Sequence, residues 1–253
     1  MAKELELLGL KINPLTMKEA VNIITDKIRD NMYDCCPVYT PNAEILMQAR
    51  DDEKFRGILN NSWLTLPDGA GLKLAARLLP EVGQLPERVA GCDLLQNILK
   101  ISNEQELRIY FLGAKPGVAA EAAHRFQDKY SGVNIIGCHH GYLDKIDVDK
   151  LITDINYKRP DLLFVGMGAP RQEKFISYNR EELQVKVAVS VGGSFDVIAG
   201  NVNRAPEVLQ KLYLEWFYRL IQEPLRWKRM LKLPQFMGLV MIEAVKRNIS
   251  RMN

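Results

Sequence analysis

The sequence has little of what membrane-spanning and secreted proteins carry. Its apolar stretches, such as residues 162–165 and 187–191, fall far short of the roughly 20 residues that a membrane-spanning helix needs. The N-terminus, Met-Ala-Lys-Glu-Leu-Glu-Leu, contains no apolar segment of the kind found in signal peptides. We therefore expect a protein that is neither transmembrane nor secreted, and we expect it in the cytoplasm.

Cysteine and histidine are also scarce, with four and three residues respectively. Cys35 and Cys36 are adjacent and no Cys-x-x-Cys pair is present, which argues against both a disulfide framework and a structural zinc site. His139 and His140 stand together without the spacing or the nearby carboxylates of a metal site. We expect reduced thiols, no metal and no resident cofactor.

Two glycine-rich signatures of phosphate binding are incomplete in this sequence. Gly166-Met-Gly168 lacks the third glycine of the dinucleotide fingerprint because Arg171 stands in its place, and residues 113–117 lack the Gly-Lys-Ser/Thr of a P-loop. No nucleic-acid recognition motif accompanies the basic residues. An NAD(P)-dependent Rossmann oxidoreductase remains an alternative, although the complete glycine fingerprint of that class is missing. We expect no nucleic-acid partner.

The sequence does contain a regular alternation of apolar strands and helices up to residue 200. Hydrophobic residues make up 47% and charged residues 26% of the 253 residues, which is typical of a globular protein with its own core. The alternation predicts an α/β fold with a Rossmann-like, mostly parallel sheet and flanking helices, whose first strand covers residues 5–13. Residues 1–200 are the predicted body, and residues 201–253, which show no strand signal, are a predicted helical appendage.

The two predicted regions differ in charge. Residues 201–253 hold ten Lys/Arg and four Asp/Glu, a local charge of +6, so the body carries 3 − 6 = −3. The appendage also holds Trp216, Trp227 and several other aromatic residues. Cations mixed with interfacial aromatics favour contact with an anionic membrane surface. The alternatives are a solvated basic face with its aromatics in the core, and a non-enzymatic membrane adaptor.

Polar residues follow two predicted strands at their carboxyl ends, where ligands bind in open α/β sheets. Thr40 and Asn42 follow one strand, and Asp68 follows the next within Pro67-Asp68-Gly69. A hydroxyl and an amide at such a turn can bind a sugar or a phosphate, and a carboxylate can act as a general base. Spacing alone favours the simpler alternatives, a helix cap at Asn42 and an ordinary Asp-Gly turn at Asp68.

Two glycine-containing turns and one arginine loop add further candidates. Gln172 opens a helix after Gly168, and Gly192 precedes Asp196, whose carboxylate could accept hydrogen bonds from ribose hydroxyls. Arg88, in a loop bounded by Pro and Gly, could hold a diphosphate through a bidentate contact. A capped turn and a surface ion pair are the alternatives.

Five motifs in order resemble those of a single family. They are Thr40-Pro-Asn-Ala-Glu44, Pro67-Asp-Gly69, Pro86-Glu-Arg-Val-Ala-Gly91, Gly168-Ala-Pro-Arg-Gln-Glu173 and residues 191–200, Val-Gly-Gly-Ser-Phe-Asp-Val-Ile-Ala-Gly. Together with the tail segments 215–220 and 223–229, they resemble the WecG/TagA/CpsF glycosyltransferases over nearly the whole chain. Arg171 stands where many members have lysine.

The resemblance implies an inverting, metal-independent transferase. TagA-like members transfer N-acetylmannosamine from its UDP donor (UDP-ManNAc) to undecaprenyl-diphosphate-linked N-acetylglucosamine (GlcNAc), with a β-1,4 linkage, in wall teichoic acid synthesis. It further implies a homo-oligomer whose tail engages the inner face of the cell membrane. UDP-N-acetylmannosaminuronic acid (UDP-ManNAcA) and UDP-glucose remain open as alternative donors within the family.

The resemblance also implies roles for individual residues. By position, Asp68 is the general base and Thr40 its partner in the same pocket. The residues implied to line the nucleotide-sugar site are Asn42, Arg88, Gln172, Gly192 and Asp196. The residues implied to meet the lipid diphosphate or the membrane are Arg219, Arg226 and Arg229.

Overall fold

The computed structural model describes residues 4–79, 83–206, 208–209, 215–222, 227 and 231–252. An antiparallel hairpin, β1 (Leu5–Leu7) and β2 (Leu10–Ile12), precedes a six-stranded sheet. The strands of this sheet are β3 (Cys36–Tyr39), β4 (Leu64–Thr65), β5 (Arg108–Gly113), β6 (Asn134–His139), β7 (Leu162–Gly166) and β8 (Val187–Ser190). All its pairings are parallel and the strand order is β4-β3-β8-β7-β5-β6, which confirms the predicted α/β class.

Helices cover both faces of the sheet. Those before the C-terminal segment are α1 (Met17–Arg29), α2 (Ala43–Asp51), α3 (Glu53–Asn60), α4 (Ala70–Leu78), α5 (Gly91–Gln105), α6 (Val118–Lys129), α7 (Lys145–Lys158), α8 (Arg171–Tyr178) and α9 (Ser194–Ile198). Local chemistry starts several of them: Thr16 and Glu19 form the predicted capping box of α1, and Asp52 caps α3. A parallel sheet needs such crossover helices, so helices and strands support each other.

The apolar core lies in two layers, one on each side of the sheet. Along β5, Ile109 and Phe111 enter the layer with α1, α5 and α6, while Tyr110 and Leu112 enter the layer with α2, α4 and α7. β7 is buried along its whole length. Strands covered on both faces read as continuous apolar runs, which is why the central strands could be predicted.

The first strand prediction was wrong in one respect. Residues 5–13 form two short strands rather than one, because the chain reverses at Leu8 and Gly9. Both residues have positive φ, 51° and 83°, as tight hairpin turns require. Leucine at the first turn position carries no turn signal, so the reversal was hidden in an otherwise apolar stretch.

The C-terminal segment, residues 201–252, contributes α10 (Glu215–Gln222) and α11 (Lys232–Met252). Helix α11 packs on α2 and α4, and its Phe236 and Val240 are fully buried in the apolar layer of that face. A Cβ at Gly71 would lie 3.0 Å from Cβ of Ala43, with the Phe236 ring in ordinary contact at 3.5 Å, so the first turn of α4 has little room for a side chain there. The predicted boundary at residue 200 stays a prediction. Across the described residues, no helix is both long and apolar enough to cross a membrane.

Candidate active site

The predicted site residues follow four neighbouring strands, β4, β3, β8 and β7, at their carboxyl ends. Asp68 follows β4, Thr40 follows β3, Gly192 follows β8 and Gln172 follows β7. Carboxyl ends of parallel strands meet at one edge, which is where open α/β sheets bind ligands. The sheet order therefore explains how residues up to 152 positions apart in the sequence share one edge of the molecule.

Asp68 is held by the backbone of the adjoining turn. Its amide donates to the carbonyl of Pro41 at 3.0 Å, and the carbonyl of Pro67 accepts from Val89 at 2.8 Å. Gly69 has a φ of +93°, a conformation that a side chain would strain, and α4 begins at the next residue. The Asp68 side chain keeps 27% exposure, so a substrate can reach its carboxylate.

Arg88 joins Asp68 to the C-terminal segment. Its Nε lies 3.4 Å from Oδ1 of Asp68, and its Nη2 donates to Oε2 of Glu215 at 2.6 Å. Burial works against the charged guanidinium, but the two carboxylates outweigh it and raise the pKa of Arg88 above its ordinary value. The arginine is thus a permanent cation fixed between the predicted base and a residue of α10.

A second ion pair lies close to the first. Arg204 contacts Asp93 of α5, with Nη1 2.6 Å from Oδ1 and Nη2 2.7 Å from Oδ2. This two-point contact matches the fork of the guanidinium to the carboxylate and raises the pKa of Arg204 despite burial. Glu215 also acts on Arg204 electrostatically. Two cations and three carboxylates therefore form one polar group where the C-terminal segment meets the body.

Thr40 bridges the ends of β3 and β8. Its hydroxyl donates to the carbonyl of Ser190 at 3.1 Å, and its amide donates to the Ser190 hydroxyl at 3.3 Å. Only 7% of Thr40 is exposed, and a Cβ at Gly91 would lie 2.9 Å from its Oγ1. The structure places Thr40 in the wall of the candidate site, and its role as a partner of the base stays a prediction.

Asn42 caps α2, which is what the helix-cap interpretation of this residue predicted. Its Oδ1 accepts from the amide of Ile45 at 3.0 Å. Capping occupies the carbonyl oxygen, whereas a ligand could still meet the two N–H donors of Nδ2. The two interpretations of Asn42 are therefore compatible.

Gln172 and Gly192 are in direct contact. The Gly192 amide donates to Oε1 of Gln172 at 3.0 Å, and Nε2 of Gln172 donates to Oε1 of Glu173 at 2.7 Å. Gln172 and Glu173 are 2% and 1% exposed. Burial raises the pKa of Glu173 to about 7. A buried polar chain thus connects the start of α8 to the turn after β8.

Asp196 lies in the first turn of α9, four residues after Gly192, and is partly exposed. Its backbone carbonyl accepts from the amides of Asn201 and Val202 at 2.9 and 3.2 Å, which closes the end of α9. Asp196 therefore follows closely on the strand-end turn at Gly192, as the nucleotide-binding interpretation requires. Its contact with a ribose stays a prediction.

Of the three tail arginines, the structure describes only the backbone of one. Arg219 belongs to α10, but its side chain lies outside what the structure describes, and Arg226 and Arg229 lie outside the described residues altogether. Their roles toward the lipid diphosphate stay predictions.

Sequence reasoning did not assign Glu215, Glu173 or the Arg204–Asp93 pair to the site. Glu215 and Glu173 both belong to motifs that carry the family resemblance, so the motifs contained the signal. Their partners, however, are set by tertiary structure: Glu215 and Arg88 are 127 residues apart. Among the described residues, no three His, Cys, Asp or Glu side chains are placed to hold a metal ion.

The fold and this edge define an α/β enzyme with a reachable carboxylate beside a fixed arginine and a glycine turn open to a ligand. The chain belongs to the glycosyl transferase WecG/TagA/CpsF family, whose sequence profile matches residues 5–250. It is therefore a glycosyltransferase, and the oxidoreductase and adaptor alternatives fall away.

Three relatives from different bacteria carry the same name. Each is an N-acetylglucosaminyldiphosphoundecaprenol N-acetyl-beta-D-mannosaminyltransferase. The protein of Bacillus subtilis strain 168 is 40% identical over 200 residues, covering 79% of this chain and 76% of the relative. That of Bacillus spizizenii strain ATCC 23059 / NRRL B-14472 / W23 is 36% identical over 204 residues, covering 81% and 78%. That of Staphylococcus aureus strain MRSA252 is 31% identical over 248 residues, covering 98% and 95%.

Proposed function

We propose that this protein transfers N-acetylmannosamine from UDP-ManNAc to undecaprenyl-diphosphate-linked GlcNAc. The transfer inverts the configuration at the anomeric carbon, needs no metal and forms the β-1,4 linkage of wall teichoic acid linkage units. The names of the relatives specify this sugar and this lipid-linked acceptor. The observation that carries the proposal is the Asp68–Arg88 contact of 3.4 Å at the carboxyl edge of the sheet.

Asp68 supplies the base for this reaction. Its carboxylate takes the proton of the acceptor hydroxyl while that oxygen attacks the anomeric carbon, and UDP leaves from the opposite face. One displacement inverts the configuration, so a single carboxylate is sufficient. A positioned general base of this kind contributes about 10²–10⁴-fold to the rate.

Arg88 and the Gly192–Gly193 turn receive the leaving diphosphate. The reaction builds negative charge on the diphosphate, and a fixed guanidinium is suited to stabilise it. At Gly193 a Cβ would meet nothing within 4 Å, so the backbone of this turn is open to close approach by a ligand. Asp196, on the same turn, accepts from the ribose hydroxyls.

The C-terminal segment brings the enzyme to its lipid-linked acceptor. It carries a net charge of +6, and its Trp216, Phe217 and Trp227 are 42%, 47% and 53% exposed, so interfacial aromatics face outward on a basic segment. Arg219, Arg226 and Arg229 then meet the lipid diphosphate, and Glu215 links this segment to Arg88. Phe236, by contrast, is buried and anchors the segment. Sedimentation with vesicles tests the docking: anionic vesicles should retain the protein, and equal retention by neutral vesicles would contradict it.

A donor panel tests the reaction itself. We expect the purified enzyme to form product from UDP-ManNAc and lipid-diphosphate-linked GlcNAc, and to keep its activity in excess chelator. UDP-ManNAcA and UDP-glucose should yield no product, and the thermal shift should respond to UDP but not to a nicotinamide nucleotide. Product from a different donor would reassign the substrate, and loss of activity in chelator would remove the metal-independent mechanism.

A further inference from the structure

We propose that Glu173 is a positioning residue for the nucleotide-sugar site. It orients the side-chain amide of Gln172, and that amide holds the turn that receives the UDP group. This inference rests on the proposed function, because it assigns the Gly192 turn to the donor. Glu173 itself touches neither reacting atom.

The two hydrogen bonds of the Gln172 amide run in a fixed direction. Oε1 of Gln172 accepts from the Gly192 amide at 3.0 Å, and Nε2 of Gln172 donates to Oε1 of Glu173 at 2.7 Å. A glutamine amide can be turned over, which exchanges its donor and its acceptor ends. The reversed amide would set a donor against the N–H of Gly192 and an acceptor against the carboxylate. Ionised Glu173 therefore selects the orientation that Gly192 needs, whereas the protonated acid, which forms below its pKa of about 7, could donate to a reversed amide.

The turn at Gly192 is confined by its neighbours. Gly192 has a φ of +55°, and a Cβ at Gly166 would come within 2.7 Å of the Gly192 carbonyl oxygen. The turn is thus confined on the side of β7 by Gly166 and on the side of α8 by Gln172. Loss of the Gln172 contact would release one of these two restraints while leaving the fold of the sheet in place.

Glu173 is poorly suited to a purely structural role. It is 1% exposed, and its second carboxyl oxygen, Oε2, has no hydrogen-bond partner among the described residues. Burial of an unsatisfied polar atom is unfavourable, and an apolar side chain would fill the same space without that cost. The carbonyl of Glu173 accepts from the Tyr39 hydroxyl at 3.3 Å, which fixes the backbone from which the carboxylate reaches Gln172.

The test compares two substitutions of similar size. Glu173→Met removes the acceptor, and Glu173→Gln keeps an oxygen that can accept from Gln172. With the full-length enzyme, we expect Glu173→Met to raise the Kd for UDP and the KM for UDP-ManNAc by about tenfold, the order of one lost hydrogen bond, with a smaller change in kcat. Glu173→Gln should recover most of that affinity, which a role in packing alone does not predict.

A double-mutant cycle shows whether Glu173 acts through Gln172. If it does, Gln172→Met together with Glu173→Met should bind UDP no more weakly than Gln172→Met alone. Additive losses, or a Glu173→Met enzyme with wild-type affinity, would overturn the inference. If Glu173→Met does not fold, Glu173→Asp answers the same question, because it withdraws the acceptor by one methylene and should raise the Kd by at least about threefold.

The proposed function fails separately from this inference. A wild-type enzyme that does not bind UDP at all would overturn both. Wild-type binding of UDP combined with unchanged Glu173 variants would overturn only the role of Glu173. Faster hydrogen exchange at the Gly192 amide in Glu173→Met, with β5 amides unchanged, would support it independently of turnover.

Discussion

The α/β body and the C-terminal segment are held in different ways. The body is built around apolar layers on both faces of a parallel sheet. The described part of the segment reaches the body through Phe236 and Val240 and through ion pairs from Glu215, Arg204 and Lys232. Its outward-facing residues include large apolar side chains. The comparison teaches that the described part of the segment is held by one apolar helix face and by ion pairs, one of which reaches Arg88 of the proposed Asp68–Arg88 pair.

The charges of the two regions sharpen this difference. The body carries −3 and the segment +6, yet the residue that the segment presents to Arg88 is an acid, Glu215. A basic segment that used only its overall charge would approach the carboxylates of the body and avoid its arginines. The Glu215–Arg88 contact is therefore a specific feature, and it supports the proposal that the segment takes part in the site.

The largest expected effect tests the apolar anchor. Phe236→Ala should weaken the docking of α11 by about 3–5 kcal/mol, because it empties a fully buried aromatic position. Hydrogen exchange should rise in α11 while the amides of β5 and β7 keep their protection. Phe217→Ala, at an exposed position of α10, is the matched control and should change little. Equal loss of protection in β5 would show that the segment and the body unfold as one unit.

The next effect lies within the body and depends on pH. The pKa of Glu173 is about 7 in the folded protein against 4.5 for the ordinary group, so the folded state binds a proton that the unfolded state releases between these values. Stability should therefore fall as pH rises from 4.5 to 7, by on the order of 3 kcal/mol, and remain low above pH 7.

Glu173→Gln removes this titration. The variant should be more stable than wild type at pH 8 and lose that advantage near pH 4.5, as measured by chemical denaturation across this range. A constant difference between the two proteins at all pH values would show that the pKa of Glu173 is the same in the folded and unfolded states.

The partly buried Arg88–Glu215 ion pair should contribute less to stability than the two features above. Arg88 and Glu215 have side chains only 19% and 17% exposed, and a charged hydrogen bond of this kind contributes about 1.5–3 kcal/mol. A double-mutant cycle on stability with Arg88→Gln and Glu215→Gln should measure a coupling of that order. A coupling below about 0.5 kcal/mol would mean that α10 does not rest on Arg88 in solution.

The smallest effect is expected at the exposed pair. Nζ of Lys232 lies 2.7 Å from Oδ2 of Asp51, but the two side chains are 30% and 58% exposed, so water and salt screen the attraction. Lys232→Ala should cost at most about 1 kcal/mol, and added salt should reduce that cost further. A loss as large as that of Glu215→Gln would remove the distinction between the two attachments.

Much of the body could be predicted because its signals are local. Apolar runs such as residues 162–165 marked the central strands, and the capping box at Thr16 marked α1. The strand ends placed Asp68, Thr40, Gln172 and Gly192 on one edge, because parallel strands share their direction. The hairpin at Leu8 was missed because its turn residue is an ordinary leucine.

The connections between site residues could not be predicted in the same way. Arg88 was expected to meet a diphosphate or a surface partner, but no periodicity indicates that its partner is Glu215, 127 residues later. Glu173 ends the motif of residues 168–173, while its burial depends on the packing of α8 against β3. Such contacts follow from tertiary packing, which sequence spacing alone does not encode.

The central claim is that Asp68 acts as the base beside a bound UDP group. The most direct test is the turnover of Asp68→Asn with UDP-ManNAc and the lipid-linked acceptor, alongside UDP affinity and an Asp51→Asn control. The account predicts a loss of at least about 10²-fold in kcat with UDP affinity retained within a few-fold, and a control close to wild type. Full turnover by Asp68→Asn would contradict it.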